Sequence, residues 1–338
     1  MMRNFFCLIA VSLFLLSCGS GKEEKKQITG QDTLQVALET LNKEIAGDGS
    51  NPDLYQKRAR VYYSTRKFDL ALQDINKAIS FSEKPGYYIT MSDIYLMMGQ
   101  PQNASGALTK ALELAPGSNE VLLALANLNL IIREYKTSME YIRKSLEAEP
   151  VNNPRAFFLR GLVLLENGDT VSAVEDLKKS AYLDQNNYEA FLQLGELYSM
   201  KKDRMAVDYL KNALRVKPGN KEALYLLGMF YQETGKYDQA LATYDSLKKV
   251  DTSYKSASYN EGYIYLVYLK QFDKAIKCFS DAITKDPTYA EAWYNRGYAY
   301  ELSGDYANAA RDYKRTLEIR VNYQKAIDAL NRLDKVRK

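Results

Sequence analysis

The sequence repeats itself with a period of 33 to 35 residues over most of its length. The repeats start near residues 52, 85, 119, 154, 188, 221, 255 and 290. A period of this size is typical of arrays in which each unit is one supersecondary element and buries its apolar face against its neighbours. This period constrains the fold more than any single motif does, and each motif is therefore placed within it.

Two positions of the repeat carry small side chains. The eighth position holds Ala59, Ser92, Ala126, Gly161, Gly195, Gly228, Gly262 and Gly297. The position near 20 holds Ala71, Ala104, Ser138, Ala173, Ala206, Ala240, Ala275 and Ala309. Two antiparallel helices pack closely only where small residues lie at their crossing. The pattern therefore predicts a pair of crossing helices in each repeat.

Tyrosine is abundant, with 28 residues, and six of them recur near position 11 of the repeat. The last repeat carries Trp293, Gly297, Tyr300, Gly304, Tyr306, Ala309 and Tyr313. These residues resemble the pattern of the tetratricopeptide repeat (TPR) family nearly throughout. The resemblance implies an all-α fold, a right-handed α-solenoid (superhelix) of about eight TPR helix-turn-helix repeats over residues 52–323.

Both ends of the array are predicted to be closed by a helix. Apolar residues recur at helical spacing within residues 33–51, which fit the second helix of an N-terminal half repeat. Residues 324–338 contain one apolar stripe, which consists of Ala326, Ile327, Leu330 and Leu333. This C-terminal capping helix is expected because an open end would leave a core face in water.

The turn residues agree with the helix pattern. All eight prolines fall at a predicted helix start, after a predicted helix end or in a turn, where proline is tolerated. Glycines lie where the first helix of a repeat ends and a left-handed residue is favoured: Gly99, Gly168, Gly235 and Gly304. The repeat starting at Lys255 lacks this glycine and contains one additional residue between Gly262 and Ala275, so its turn is the least well defined.

The first 32 residues predict export and membrane attachment. Residues 1–17 have the form of a signal peptide, because the apolar run from Phe5 to Leu16 is too short to span a bilayer. The sequence Leu-Leu-Ser-Cys-Gly ending at Gly19 resembles the bacterial lipobox. The resemblance implies cleavage before Cys18 and a diacylglycerol on its sulfur. Residues 18–32 are predicted to be a flexible tether that spans about 20 Å.

The composition argues against most catalytic and metal sites. The chain has no histidine, which excludes Ser-His and Cys-His nucleophilic sites and histidine-bound metals. Its three cysteines, Cys7, Cys18 and Cys278, are too scattered for a disulfide framework or a zinc site. A net charge of +4 gives little reason to expect nucleic acid as a partner. The sequence therefore predicts no enzyme, no metal and no cofactor except the acyl groups on Cys18.

The TPR resemblance also implies where a partner binds. In the family, positions 2, 5, 6, 9, 12 and 13 of the first helices line a concave groove. The candidate groove residues are Ile89, Met97, Leu123, Asn127, Ile131, Phe158 and Leu162 in the central repeats, and Tyr225, Met229, Tyr259, Asn260, Tyr263, Tyr294, Asn295 and Tyr298 in the later ones. We expect Asn260 and Asn295 to bond the backbone of an extended peptide, and a structural or solvated role is the alternative for both. The alternative is that these residues pack against neighbouring first helices as ordinary core.

These patterns together predict a membrane-anchored TPR adaptor that binds protein segments and assembles an envelope complex. Gly19 after the cysteine favours the outer membrane, with the periplasmic face and the cell surface both open. One alternative is a structural lipoprotein that associates with itself as a homo-oligomer. Another is a subunit of a secretion, motility or cell-wall machinery whose tyrosine-rich groove contacts glycan.

Overall fold

The computed structural model describes residues 30–336, and these residues are helical with no β-strand. The predicted signal peptide, Cys18 and most of the predicted tether lie outside the described residues. The chain divides into two compact units, described over residues 30–173 and 174–336. The predicted all-α fold of consecutive helix pairs is confirmed.

The first unit contains three complete helix pairs of the repeat, with one helix before them and one after them. Its helices are α1 (Gly30–Gly47), α2 (Pro52–Ser64), α3 (Phe68–Phe81), α4 (Pro85–Met97), α5 (Pro101–Leu114), α6 (Asn119–Ile131), α7 (Tyr135–Ala148) and α8 (Pro154–Glu166). Ile75, Ile94 and Leu108 are almost completely buried between the paired helices. The core therefore runs along the stack, as expected for an array in which each repeat is covered by its neighbours.

The second unit continues the same arrangement. Helix α9 (Thr170–Leu183) contains the division between the units, at residues 173 and 174. The helices that follow are α10 (Tyr188–Met200), α11 (Met205–Val216), α12 (Lys221–Glu233), α13 (Tyr237–Val250), α14 (Lys255–Tyr263), α15 (Phe272–Lys285), α16 (Ala290–Leu302), α17 (Tyr306–Ile319) and α18 (Gln324–Val336). The apolar face of α18 is buried through Ala326, Ala329 and Leu333.

Steric crowding explains the small residue at position 8 of the repeat. A Cβ atom built on Gly228 would lie 2.6 Å from Cε1 of Tyr244, which is far inside van der Waals contact. A Cβ on Gly262 would lie 2.8 Å from Cε1 of Phe279. The ring of the second helix therefore occupies the space of the missing side chain, and the predicted close helix crossing is confirmed.

The turn inside each repeat requires a left-handed residue. The predicted glycines Gly99, Gly168, Gly235 and Gly304 all have positive φ, between 72° and 87°. The other four repeats place a long basic residue in the same conformation, with φ between 53° and 65°: Arg66, Arg133, Lys202 and Lys270. An L-residue with a side chain pays about 1 kcal/mol for this conformation.

We expect Lys202→Gly to raise the free energy of unfolding of the second unit by about 1 kcal/mol, because it relieves the left-handed strain. Its neighbour Lys201, at φ −88°, is the matched control. Lys201→Gly is expected to give no gain, since a residue in that conformation carries no strain to relieve. Chemical denaturation of both variants measures the difference, and equal effects would contradict the prediction.

The additional residue of the repeat starting at Lys255 is absorbed by a π-helical turn. Helix α14 continues directly into a π-helix over Ile264–Tyr268. A π-helix closes its hydrogen bonds over one more residue than an α-helix does. The chain therefore keeps the helix pair despite the insertion, and Lys270 supplies the left-handed turn residue.

The N-terminal helix differs from its predicted range. Helix α1 begins at Gly30 rather than at residue 33 and ends at Gly47 rather than at residue 51. The Asp48 carboxylate accepts hydrogen bonds from the backbone N–H and the hydroxyl of Ser50, which forms a turn. Asn51 then caps α2 by accepting a hydrogen bond from the N–H of Asp53. Local side-chain bonds therefore end the helix earlier than its apolar spacing indicates.

Candidate functional site

The predicted groove residues of the first unit are less exposed than an open apolar strip requires. Ile89, Leu123 and Phe158 are only 6%, 3% and 8% exposed. Helix α6, which carries Leu123, packs against α4 and α8, which carry Ile89 and Phe158. For these three residues the structure corresponds to the alternative, ordinary core packing. Of the other candidates, Met97 and Leu162 are half-buried.

Ile131 and Asn127 are two groove positions of the first unit that differ from this buried set. Ile131, at the end of α6, is 47% exposed and is the most accessible apolar candidate of this unit among the described residues. Asn127 is half-buried, and its Oδ1 atom is buried without a hydrogen-bond donor. The place of Asn127 in a peptide-binding groove therefore stays a prediction.

Asp93 on α4 is a groove-face carboxylate that the sequence analysis did not single out. Burial raises the pKa of Asp93 from 3.8 to about 6. The positive charges of Arg155 and Arg60 oppose this rise, and the negative charge of Glu120 adds to it. The arginines act on the carboxylate only through their charge. They therefore do not replace the hydrogen bonds to water that the carboxylate loses on burial. A fixed negative charge in this position costs stability at neutral pH.

We expect Asp93→Asn to stabilise the protein by about 1 to 2 kcal/mol at pH 7.5. A carboxyl whose pKa is raised on folding contributes stability below about pH 4 that is lost as the pH rises through 6. The gain should therefore disappear near pH 4, where the wild-type carboxyl is neutral in the folded state. Glu140→Gln, an exposed site on α7, is the control. Thermal unfolding at both pH values measures the effect, and a gain independent of pH would contradict the prediction.

Tyrosine pairs line the first-helix face of the second unit. Position 5 of three successive repeats holds half-buried Tyr225, Tyr259 and Tyr294. Each ring packs against the tyrosine that precedes the next first helix. The centroid distances are 5.8 Å for Tyr225 and Tyr254, 5.0 Å for Tyr259 and Tyr289, and 5.3 Å for Tyr294 and Tyr323. Met229, Tyr263 and Tyr298, at position 9, are also half-buried.

The second tyrosine of each pair was not among the predicted groove residues. Tyr254, Tyr289 and Tyr323 lie outside the family's groove positions, so the mapping passed over them. Their recurrence at the repeat period was the available signal. Aromatic pairs of this kind contribute about 0.5 to 1.5 kcal/mol beyond their buried area. The pairs therefore stabilise the stack while leaving part of each ring accessible.

The asparagines of this face are occupied within the protein. Asn260 is 8% exposed, and its Nδ2 donates to the hydroxyl of Tyr244 at 3.2 Å and contacts Sδ of Met229 at 3.3 Å. Asn295 donates from Nδ2 to the hydroxyl of Tyr259 at 2.8 Å. A tyrosine hydroxyl thus accepts a hydrogen bond from each of these two amides, and their contact with a peptide backbone stays a prediction. The structure thus gives both residues a role in positioning the aromatic side chains.

Cys278 on α15 is a packed thiol. Its Sγ lies 3.9 Å from Oε2 of Glu261, which also forms an ion pair with Lys248 at 2.6 Å. Burial, followed by the charge of Glu261, raises the pKa of Cys278 to about 11. The sulfur is therefore protonated at neutral pH and is a poor nucleophile.

Two further properties concern residues 30–336 alone. No group of three or more Asp, Glu or Cys side chains in this part of the chain is arranged to hold a metal ion. None of the helices that the structure describes has the length and apolar character needed to cross a bilayer.

Profiles of the tetratricopeptide repeat match the chain at residues 52–85, 85–118, 205–257 and 290–323, and a TPR repeat profile matches residues 266–304. Together they cover more than half of the sequence. The DnaJ homolog subfamily C member 3 of Gallus gallus is 24% identical to this chain, and the match covers 69% of this chain and 53% of the relative's length. A TPR repeat-containing protein of Methanocaldococcus jannaschii is 25% identical over 64% of this chain and 40% of its own. The chain thus spans about half or less of the length of these relatives.

A solved structure supports the same fold. The Cut9–Hcn1 hetero-tetramer of the APC/C aligns with 90% of this chain and 60% of its own, with a TM-score of 0.54 and 18% identity. The helix pairs and the small residues at their crossings are those expected from the matched profiles. This chain belongs to the tetratricopeptide repeat family, whose helix-pair arrays are scaffolds for protein–protein interaction.

Proposed function

We propose that this protein is a non-catalytic, lipid-anchored scaffold of the bacterial cell envelope. Acyl chains on Cys18 hold it at the outer membrane, since two or more chains give stable anchoring. The repeats bind segments of envelope proteins along the first-helix faces and bring these partners together. The lipobox-like sequence supports the anchor, and the absence of histidine supports a binding role over catalysis.

The single observation that carries the binding role is the run of tyrosines in the second unit. Tyr225, Tyr259 and Tyr294 occupy the same repeat position and keep part of each ring accessible. Tyrosine is enriched at protein interfaces because its ring offers a large apolar area and its hydroxyl a hydrogen bond. Rings that recur at the repeat period offer a partner segment several accessible contacts on the first-helix face.

Crosslinking and affinity capture of the full-length protein from cells tests the binding role. Tyr225→Ala and Ile131→Asp remove accessible groove side chains, whereas Leu123 and Phe158 are unsuitable because they are buried. Val171→Asp, at a side chain of α9 that is 73% exposed, is the control. We expect the groove variants to lose specific partners and the control to keep them. Recovery of the same partners by all variants, or of the protein itself alone, would refute groove binding.

The anchor has a separate test. We expect Cys18→Ala to accumulate as unprocessed precursor and to lack the acyl modification, because the sulfur that carries the lipid is missing. Mass spectrometry of the protein from the membrane fraction measures both. Normal processing and a wild-type mass increment in this variant would remove the lipoprotein proposal and leave the scaffold intact.

A further inference from the structure

The π-helical turn over Ile264–Tyr268 builds an aromatic cluster on the second unit. Because the turn contains one more residue, Tyr268 lies edge-on to Tyr263, with ring centroids 6.0 Å apart at 72°. The same ring stacks on Tyr237 at 4.5 Å and 19°. Tyr268 remains 43% exposed. π-helical turns are rare and frequently mark functional sites.

A carboxylate accompanies this cluster. Glu233 ends α12 and is exposed. Within residues 30–336, Glu233 takes part in no ion pair or hydrogen bond. Glu233 lies four residues before Tyr237, at the turn between α12 and α13. Burial raises the pKa of Tyr268, and the charge of Glu233 adds to the rise. The cluster of Tyr237, Tyr263, Tyr268 and Glu233, here the upper cluster, combines ring faces and a negative charge, the two groups that attract a cation.

A second cluster of the same chemistry lies at the start of α12. Here Glu222 is exposed and lies three residues before Tyr225, whose ring packs at a tilt of 50° against that of Tyr254. Glu222 too forms no ion pair or hydrogen bond in the described part of the chain. Its charge adds to the rise that burial causes in the pKa of Tyr254. We name Glu222, Tyr225 and Tyr254 the lower cluster.

Tyr254 occupies the N-cap position of α14, where another repeat has a capping asparagine. At the equivalent position before α12, Asn220 accepts a hydrogen bond from the N–H of Ala223 at 2.9 Å. Tyr254 precedes α14 and makes no side-chain cap bond. Asparagine is a preferred cap residue and tyrosine is not, so this repeat forgoes a stabilising bond and gains an aromatic ring. The ring is therefore better explained by what it contacts on the surface than by helix stability.

The two clusters share one helix face. Glu222, Tyr225, Met229 and Glu233 follow at intervals of three, four and four residues, which places them in one row along α12. The row spans eleven residues, or about 16 Å. An extended peptide covers this distance in about five residues. Met229 lies between the clusters and offers an adaptable apolar surface.

The charged residues at the groove positions of the second unit's first helices are all acidic. Positions 2, 5, 6, 9, 12 and 13 of α10, α12, α14 and α16 carry no lysine or arginine. Three carboxylates at these positions are already neutralised by ion pairs: Glu189 with Lys217, Glu291 with Arg320, and Glu301 with Arg332. Glu222 and Glu233 are thus unneutralised negative charges beside accessible aromatic rings.

We propose that this face of the second unit binds an extended protein segment that carries two lysine or arginine side chains about five residues apart. One basic side chain lies at the lower cluster and the other at the upper cluster, and the residues between them pack on Met229. This inference rests on the proposed scaffold function and specifies the chemistry of its partner.

Selection from a random dodecapeptide library displayed on phage, with the full-length protein immobilised, tests the proposal. We expect the enriched peptides to carry two basic residues four to six positions apart. Synthetic copies of these peptides should bind about tenfold more weakly to a Glu222→Gln, Glu233→Gln double variant. Tyr268→Leu, which keeps an apolar side chain but removes the ring, should weaken binding about fivefold. Binding should also weaken as ionic strength rises.

Charge reversal provides the sharpest control. The double variant Glu222→Lys, Glu233→Lys should select acidic pairs, whereas Glu175→Lys, at an exposed site of α9, should select the wild-type set. Both substituted glutamates are exposed, so unchanged melting temperatures are expected and are measured alongside. Enrichment of peptides without a basic pair, or selection unaffected by charge reversal, would overturn this inference and leave groove binding intact. Absence of any enriched peptide would contradict groove binding itself.

Discussion

Replacing Asp312 by alanine is expected to lower the free energy of unfolding of the second unit by about 3 to 5 kcal/mol. Arg296 donates from Nε and Nη2 to the two carboxylate oxygens of Asp312, at 2.7 Å and 2.9 Å. The side chain of Asp312 is 2% exposed and that of Arg296 is 17% exposed. Removing the carboxylate leaves a largely buried guanidinium without its partner, and that uncompensated charge is the source of the loss.

An exposed pair in the same helix is the matched control. Arg315 and Glu318 on α17 form an ion pair at 2.6 Å, with side chains 44% and 61% exposed. Glu318→Ala should therefore change stability by less than about 1 kcal/mol. Urea denaturation of both variants gives the comparison. Similar small losses for Asp312→Ala and Glu318→Ala would mean that burial of the Arg296 pair has no energetic consequence.

The same bidentate pair occurs in the first unit. Arg58 donates to both carboxylate oxygens of Asp74, each at 2.7 Å, and Asp74 is 4% exposed. In both units the arginine lies on the first helix of a repeat and the aspartate sixteen residues later, on the second helix. The pair therefore joins the two helices of one repeat, which is why its loss should destabilise the unit and not only one helix.

Gly228→Leu is expected to destabilise the second unit by about 3 kcal/mol. Even a single Cβ atom at this position would lie 2.6 Å from the ring of Tyr244, and that ring is completely buried. Tyr244 has little freedom to move aside, because its hydroxyl also contacts Asn260 and Gln232. A leucine therefore forces the paired helices apart.

Gly106→Leu in α5 controls for helix propensity. A Cβ atom at Gly106 meets no atom within 4 Å, and the position is exposed. Leucine favours helix over glycine, so this variant should be stabilised by up to about 1 kcal/mol. Thermal unfolding distinguishes the two outcomes. A loss for Gly106→Leu as large as that for Gly228→Leu would mean that the crossing at Gly228 is not the cause.

The helix pairs could be predicted because their determinants lie within one repeat. Small residues such as Gly195 and Gly228 lie where an added side chain would meet the second helix. Glycines at the predicted turns have the left-handed conformation that ends a helix. These are short-range relations. The small crossing residue recurs in all eight repeats and the turn glycine in four, so an exception such as Lys202 in place of glycine does not obscure the pattern.

The candidate site was predicted less completely. Its position-5 tyrosines could be identified from the repeat, but Leu123 and Phe158, at the same repeat position, belong to the core. The position of a residue in the repeat determines the direction in which its side chain points. The size and spacing of the neighbouring helices decide whether water reaches it, and no single repeat encodes that spacing.

The sequence by itself determined the period, the helix pairs, the glycine turns and the family, because these depend on residues close together in the chain. Only the tertiary structure decided that Asn260 bonds to Tyr244 and that burial raises the pKa of Asp93. It also decided that an inserted residue brings Tyr268 onto Tyr237. Burial, electrostatics and ring stacking depend on atoms that meet across different helices, and their distances are set by packing rather than by local order along the chain.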